Sequence, residues 1–136
     1  MKIGMAIEET WGFLHEIFED LSAHHDVELF EPRTFRLPVF NARISRMLFQ
    51  RDLQGFLKRN DAVFFEWASG LLAAASHAPR TTPLVARLHR YEMYRWAHRI
   101  NWENVDHVIL VSEAKRREFS RRFPRYASRA IVIPEA

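Results

Sequence analysis

At 136 residues the chain suits one domain, and with no cysteine it has no disulfide scaffold, no thiol chemistry and no zinc finger. The net charge of +3 hides an asymmetry: residues 1–31 carry one base and eight acids, residues 32–136 nineteen bases and nine acids. No apolar run is long enough to cross a bilayer, and Glu8 and Glu9 break the opening MKIGMAIEETWG before any signal-like core, so a cytoplasmic protein is expected.

In chain order, apolar runs alternate with helical patterns. KIGMAI (Lys2–Ile7) reads as a short buried strand, and Thr10 as the cap of a helix to about Ala23 whose apolar stripe is Trp11, Leu14, Ile17, Phe18 and Leu21. A turn at His24–Asp26 leads to a strand near Val27–Phe30, then a loop holding Pro32 and Pro38. Asn41–Asn60 is helical with an apolar stripe that swings round the axis, which predicts a bend or two short helices. DAVFFEWA (Asp61–Ala68) is a strand, SGLLAAASHA a small-residue helix, PLVARLH a strand and Glu92–Trp102 a helix. DHVILVS (Asp106–Ser112) is the clearest strand, EAKRREFSRRF a helix closed by Pro124, and AIVIP the last strand. That strand ends almost at Ala136, so the chain is expected to be a single domain, 1–136, cut from something longer.

Strand–helix alternation predicts an α/β, Rossmann-like fold: a parallel sheet of about six strands with helices on both faces. In such sheets ligands bind beyond the carboxyl ends of the strands, where the strand order reverses. With an order of 3-2-1-4-5-6 and strand 1 central, the crevice falls between strands 1 and 4. Strand 1 would then deliver Glu8, Glu9, Thr10 and Gly12; strand 4, His89, Arg90 and Glu92; strand 5, Ser112 and Glu113. His89 titrates near neutral pH and can donate to a ligand oxygen; as a plain strand-end residue it would bond backbone instead. Arg87 shares its face with Val85 and His89 and needs a carboxylate partner, for which Glu8 and Glu113 are the expected choices. Ser112 is the natural N-cap of the helix beginning at Glu113, and the N–H groups it caps could also hold an anion. No G-x-G-x-x-G follows strand 1, no Walker motif occurs and no G-x-S-x-G or H-E-x-x-H is present, so neither a dinucleotide cofactor, a serine nucleophile nor a metal is expected. Glu66, where a response regulator would place an aspartate, speaks against that class.

LVARLHRYEMYR, INWENVDHVILVSEAKRREF and AIVIPEA together resemble the N-terminal domain of family-4 retaining glycosyltransferases of the GT-B class. In that family a strand ends in histidine, here Arg87-Leu88-His89, with Glu92 completing an H-x-x-E pattern. A later strand ends in Val-Ser-acid, here Val111-Ser112-Glu113, and an I-P-N-G link is matched by Ile133-Pro134-Glu135-Ala136. The glycines that the family often carries after strand 1 are reduced to Gly12. The resemblance implies the acceptor-binding half of an enzyme that transfers a sugar from a nucleotide-sugar to a carbohydrate, lipid or other hydroxyl acceptor. A second domain would hold the donor, and this half alone would be inactive. It implies His89 as the catalytic residue, against donor sugar or acceptor, with Glu8, Glu9 and Glu92 on hydroxyls.

Two other readings compete: a non-catalytic Rossmann-like binding or scaffold domain, and a basic nucleic-acid module built on Tyr91, Tyr94, Arg95 and Trp96. Those aromatics make no continuous face, and no nucleic acid is the expectation. Arg43, Arg46, Arg51, Lys58 and Arg59 beside Phe49, Phe56 and Leu57 could rest on an anionic membrane, although a helix packed on the sheet with solvated arginines is the commoner origin of that pattern. Isolated from a second domain, the crevice rim would favour a homodimer.

Overall fold

The computed structural model of the chain describes residues 1–6, 14–30 and 42–134. Six strands, β1 (Lys2–Ala6), β2 (Asp26–Phe30), β3 (Ala62–Phe65), β4 (Leu84–Arg87), β5 (His107–Leu110) and β6 (Ala130–Val132), form one sheet. Every pairing is parallel. Helices α1 (Leu14–His24), α2 (Ala42–Arg59), α3 (Gly70–His77), α4 (Arg90–Arg95) and α5 (Glu113–Arg122) make the crossovers. The fold is therefore the expected α/β, Rossmann-like one, with a different strand order: 2-1-3-4-5-6. β1 lies second from the edge, and β3 separates it from β4, so the predicted crevice between strands 1 and 4 does not exist. The order reverses at β1, between β2 and β3.

The two faces of the sheet are covered unequally. Ala6, Val63, Phe65, Leu84, Ala86, Val108 and Leu110 point into the main core, where they meet Leu53, Phe56 and Leu57 of α2, Leu71, Leu72 and Ala75 of α3, Met93 of α4 and Phe119 of α5. Alternation puts Met5 and Phe64 on the other face, packed with Val27, Leu29 and the α1 residues Ile17, Phe18 and Leu21. Beyond α1 this second face opens into a shallow apolar groove of about 320 Å³ running along Ile3, Phe64, Val85 and Ile109 to Arg87. Gly4 lets α2 approach closely: a Cβ there would sit 2.6 Å from Cζ of the fully buried Phe56.

Two helices differ from expectation. α2 is one continuous helix; its swinging stripe is resolved by burying Leu53, Phe56 and Leu57 and leaving Met47 exposed. Phe56 and Leu57 are core residues, so this helix packs on the sheet, and Arg59 is bound to Glu28. The helix expected from Glu92 to Trp102 starts earlier, at Arg90, and stops at Arg95; short 3-10 turns at Ala97–Arg99 and Trp102–Asn104 follow. Asn101 explains part of the break: its side chain accepts a hydrogen bond from the Glu103 N–H at 3.3 Å, a local bond that competes with helix. Arg129 then satisfies the carbonyls of Trp102, Glu103 and Val105 at 2.7–3.0 Å.

Candidate functional site

Chemistry gathers at the carboxyl ends of β3 and β4, the neighbouring pair to the topological switch. The register aligns Phe65 with Ala86, so the next residues along the two strands, Glu66 and Arg87, come side by side. Arg87 Nη1 donates to Glu66 Oε1 at 3.1 Å, and the Glu66 side chain is only 1% exposed. Among the described residues the partner of Arg87 is thus Glu66 and not Glu113: adjacency in the sheet decides it, and the Glu113 carboxylate is taken at the surface by Arg116, while Glu8 lies outside the described residues. His89 Nε2 lies 3.0 Å from the Glu66 carbonyl oxygen and 3.5 Å from its Oε1. The imidazole is tilted over the Trp67 ring with centroids 4.3 Å apart.

Glu92, in the first turn of α4, is 1% exposed. Its Oε1 accepts the Ala68 N–H at 3.3 Å and so ties α4 to the segment between β3 and α3. Three buried atoms of this cluster have no hydrogen-bond partner: Glu66 Oε2, Arg87 Nε and Glu92 Oε2. A buried polar atom without a partner is costly, about 1–3 kcal/mol, so three in one cluster mark a place where stability was not the only requirement.

The protonation states are coupled. Burial works against a charged His89, but its hydrogen bond to Glu66 and the charges of Glu92 and Glu66 outweigh that and raise its pKa. Burial pushes the Glu92 carboxyl up, against the opposing pull of His89. A histidine and a carboxylic acid both shifted toward their protonated forms, at one strand end, are the kind of pair found at functional sites.

Over this cluster lies a cleft of about 640 Å³ lined by Trp67, Ser69, Gly70, Tyr91, Glu92, Arg95 and Trp96. Three aromatic side chains and one buried carboxyl converge on it, and the N-terminus of α3 opens into it. Among the expected site residues that are described, only Glu92 lines the cleft. His89 packs on Trp67, is tied to Glu66, and is not among the described residues that line the cleft. Arg90 is exposed and does not line the cleft. Ser112 caps α5 by accepting the Lys115 N–H at 3.2 Å, which is the plainer of its two expected roles. Glu8, Glu9, Thr10 and Gly12 lie outside the described residues.

Glu66 and Trp67 were missed as site residues. Their signal was present: FFEWA ends an apolar run in a carboxylate, as LVARLH ends one in a histidine. Among the described residues, no group of three or more His, Cys, Asp or Glu could hold a metal ion. No helix among them is long and apolar enough to cross a membrane. Neither the protein-family models, the curated proteins nor the solved structures compared with the chain give a match.

Proposed function

We propose that the chain is the acceptor-binding half of a retaining glycosyltransferase, its cleft holding a sugar or other hydroxyl-bearing acceptor. One observation carries this reading: Trp67, Tyr91 and Trp96 surround a buried carboxyl at the strand ends. Aromatic faces offer broad apolar contact to the C–H face of a pyranose, and a carboxyl fixes hydroxyls by hydrogen bonds, so the lining combines contact area with a few orienting polar groups. Transfer depends on holding the acceptor in a water-poor site, and the positioning of Trp67 by His89, and of His89 by Glu66, supplies a rigid wall for that. The nucleotide-sugar donor and the sugar transfer itself would need a second domain of the kind the resemblance implies.

The test is a titration of the chain with glucose followed by the indole N–H signals of its tryptophans. Saturable shifts confined to Trp67 and Trp96, with Trp102 unmoved, are the expected result, because Trp102 is 3% exposed in the core. His89→Ala should weaken binding about tenfold while the fold melts within roughly 1 kcal/mol of the parent, since the residue ends its strand. Absence of any saturable shift would sink the reading. A non-catalytic binding domain would bind equally well, and is separated from it by transfer activity in the full-length protein.

A further inference from the structure

The cleft is not neutral. Arg95 lines it, is exposed, and stacks on Tyr91 with its guanidinium carbon 5.4 Å from the ring centroid while donating to the Tyr91 hydroxyl. Arg99 stacks in the same way on Trp96, another lining residue, at 5.2 Å. No carboxylate pairs with either arginine among the described residues. Stacking on rings holds a guanidinium in place while leaving its edge N–H groups for a ligand.

The start of α3 adds to this. Its N-cap, Ser69, makes no side-chain cap hydrogen bond, and no acid sits in its first turn. Ser69 and Gly70 line the cleft, so the partial positive end of the helix faces the ligand space. Among the described residues that line it, the one carboxyl is that of Glu92, whose Oε2 is buried with no partner among them. A protonated Glu92 would donate to a ligand oxygen rather than repel it.

We infer that the ligand of this cleft is a sugar ring bearing an anionic group, a carboxylate or a phosphate, read by Arg95 with Arg99 beside it. This rests on the carbohydrate reading above and narrows its substrate class to acidic sugars. Trp67, Tyr91 and Trp96 meet the ring, and the two arginines meet the charge. Arginine suits both anions, because its forked donors match two oxygens at once.

The experiment compares four probes by the same tryptophan-resolved titration: glucose, glucuronate, glucose 6-phosphate and inorganic phosphate. At least one of the two charged sugars should bind about tenfold or more tightly than glucose, and which of them does so identifies the anion. Arg95→Gln, checked by a melt unchanged from the parent, should erase that gap, the charged sugar then binding no more tightly than glucose does to the same variant. Arg99→Gln should narrow it. Equal affinity for glucose and both charged sugars overturns the inference alone. A preference that survives Arg95→Gln overturns the assignment to this cleft. Inorganic phosphate binding as tightly as glucose 6-phosphate also overturns it, because the ring would then contribute nothing. Failure of all four probes removes the carbohydrate reading as well.

Discussion

The two ends of the sheet treat polar groups in opposite ways. At the amino end, Asp61 Oδ2 accepts the Lys2 N–H at 2.8 Å, Asp106 Oδ2 accepts the Leu84 N–H at 2.9 Å, and Thr82 Oγ1 donates to the Asn60 carbonyl at 2.9 Å. These bonds close the strand starts, and their charged members stand partly in water; what is left unpartnered there is Nδ1 of His25 and Oδ1 of the amide Asn60. At the carboxyl end, Glu66, Arg87, His89 and Glu92 are withdrawn from water, and three atoms of that one cluster lack partners. A chain selected only for stability would have no reason to bury two carboxyls within reach of one histidine. The amino end holds the strands together; the carboxyl end carries a standing cost of the kind that function explains.

The sharpest way to break that contrast is to cut the buried pair. Arg87→Ala leaves Glu66 1% exposed and without its guanidinium. Loss of one member of a buried pair typically costs about 3–5 kcal/mol, and urea melts should show a loss of about 3 kcal/mol here. The double variant Glu66→Leu/Arg87→Met leaves no stranded charge and should recover most of it. A single variant that melts within about 0.5 kcal/mol of the parent would mean that water reaches Glu66 freely, and the distinction between the ends would fall.

Much of this was legible in the chain, and the limits have physical causes. The parallel α/β class follows from apolar runs alternating with helical patterns, because both signals are local. Strand order is not local. VFF and LVAR both read as buried strands, yet only their adjacency turns Glu66 and Arg87 into a pair. An order that put strand 4 beside strand 1 sent Arg87 looking for Glu8 or Glu113 and left Glu66 unconsidered as its partner. His89 was singled out correctly as a strand-end residue, but its distance from the cleft depends on Trp67, which no period in the sequence reveals. The cap at Ser112 was readable because a cap is set by its own three or four residues.

A smaller effect sharpens the comparison through pH. The Glu92 pKa is raised in the folded chain above the ordinary value of 4.5, chiefly by burial. Folding therefore favours its protonated form. That contribution is fully present below about pH 4.5 and is lost as pH rises through the raised value. Glu92→Gln keeps an oxygen for the Ala68 N–H and never ionises. It should be indistinguishable from the parent at pH 4 and more stable by about 1 kcal/mol at pH 8. His89 works in the same direction, its raised pKa stabilising the fold at low pH and fading as pH rises, so the parent should lose stability toward alkaline pH. Melts at both pH values check the sign, and a Glu92→Gln variant less stable than the parent at pH 8 would show that the ionised carboxylate is held favourably after all.

The smallest expected effect belongs to the amino end. Arg80 bonds Asp106, as Arg87 bonds Glu66, but the two side chains are 47% and 26% exposed. Water competes for both charges, and the long arginine side chain loses freedom in making the contact, so such pairs contribute about 0–1 kcal/mol. Arg80→Ala also leaves Asp106 with the Leu84 N–H and with solvent, so no buried charge is stranded. The expected loss is about 0.5 kcal/mol at low salt and less at 1 M salt, where the screening length falls to roughly 3 Å. Arg87→Ala, by contrast, should keep its larger cost in salt, because ions cannot screen a pair that water does not reach. Matched urea melts of the two variants at both ionic strengths give the ratio directly. Equal losses, or a salt dependence stronger for Arg87→Ala than for Arg80→Ala, would show that the two ends do not differ in the way their burial indicates.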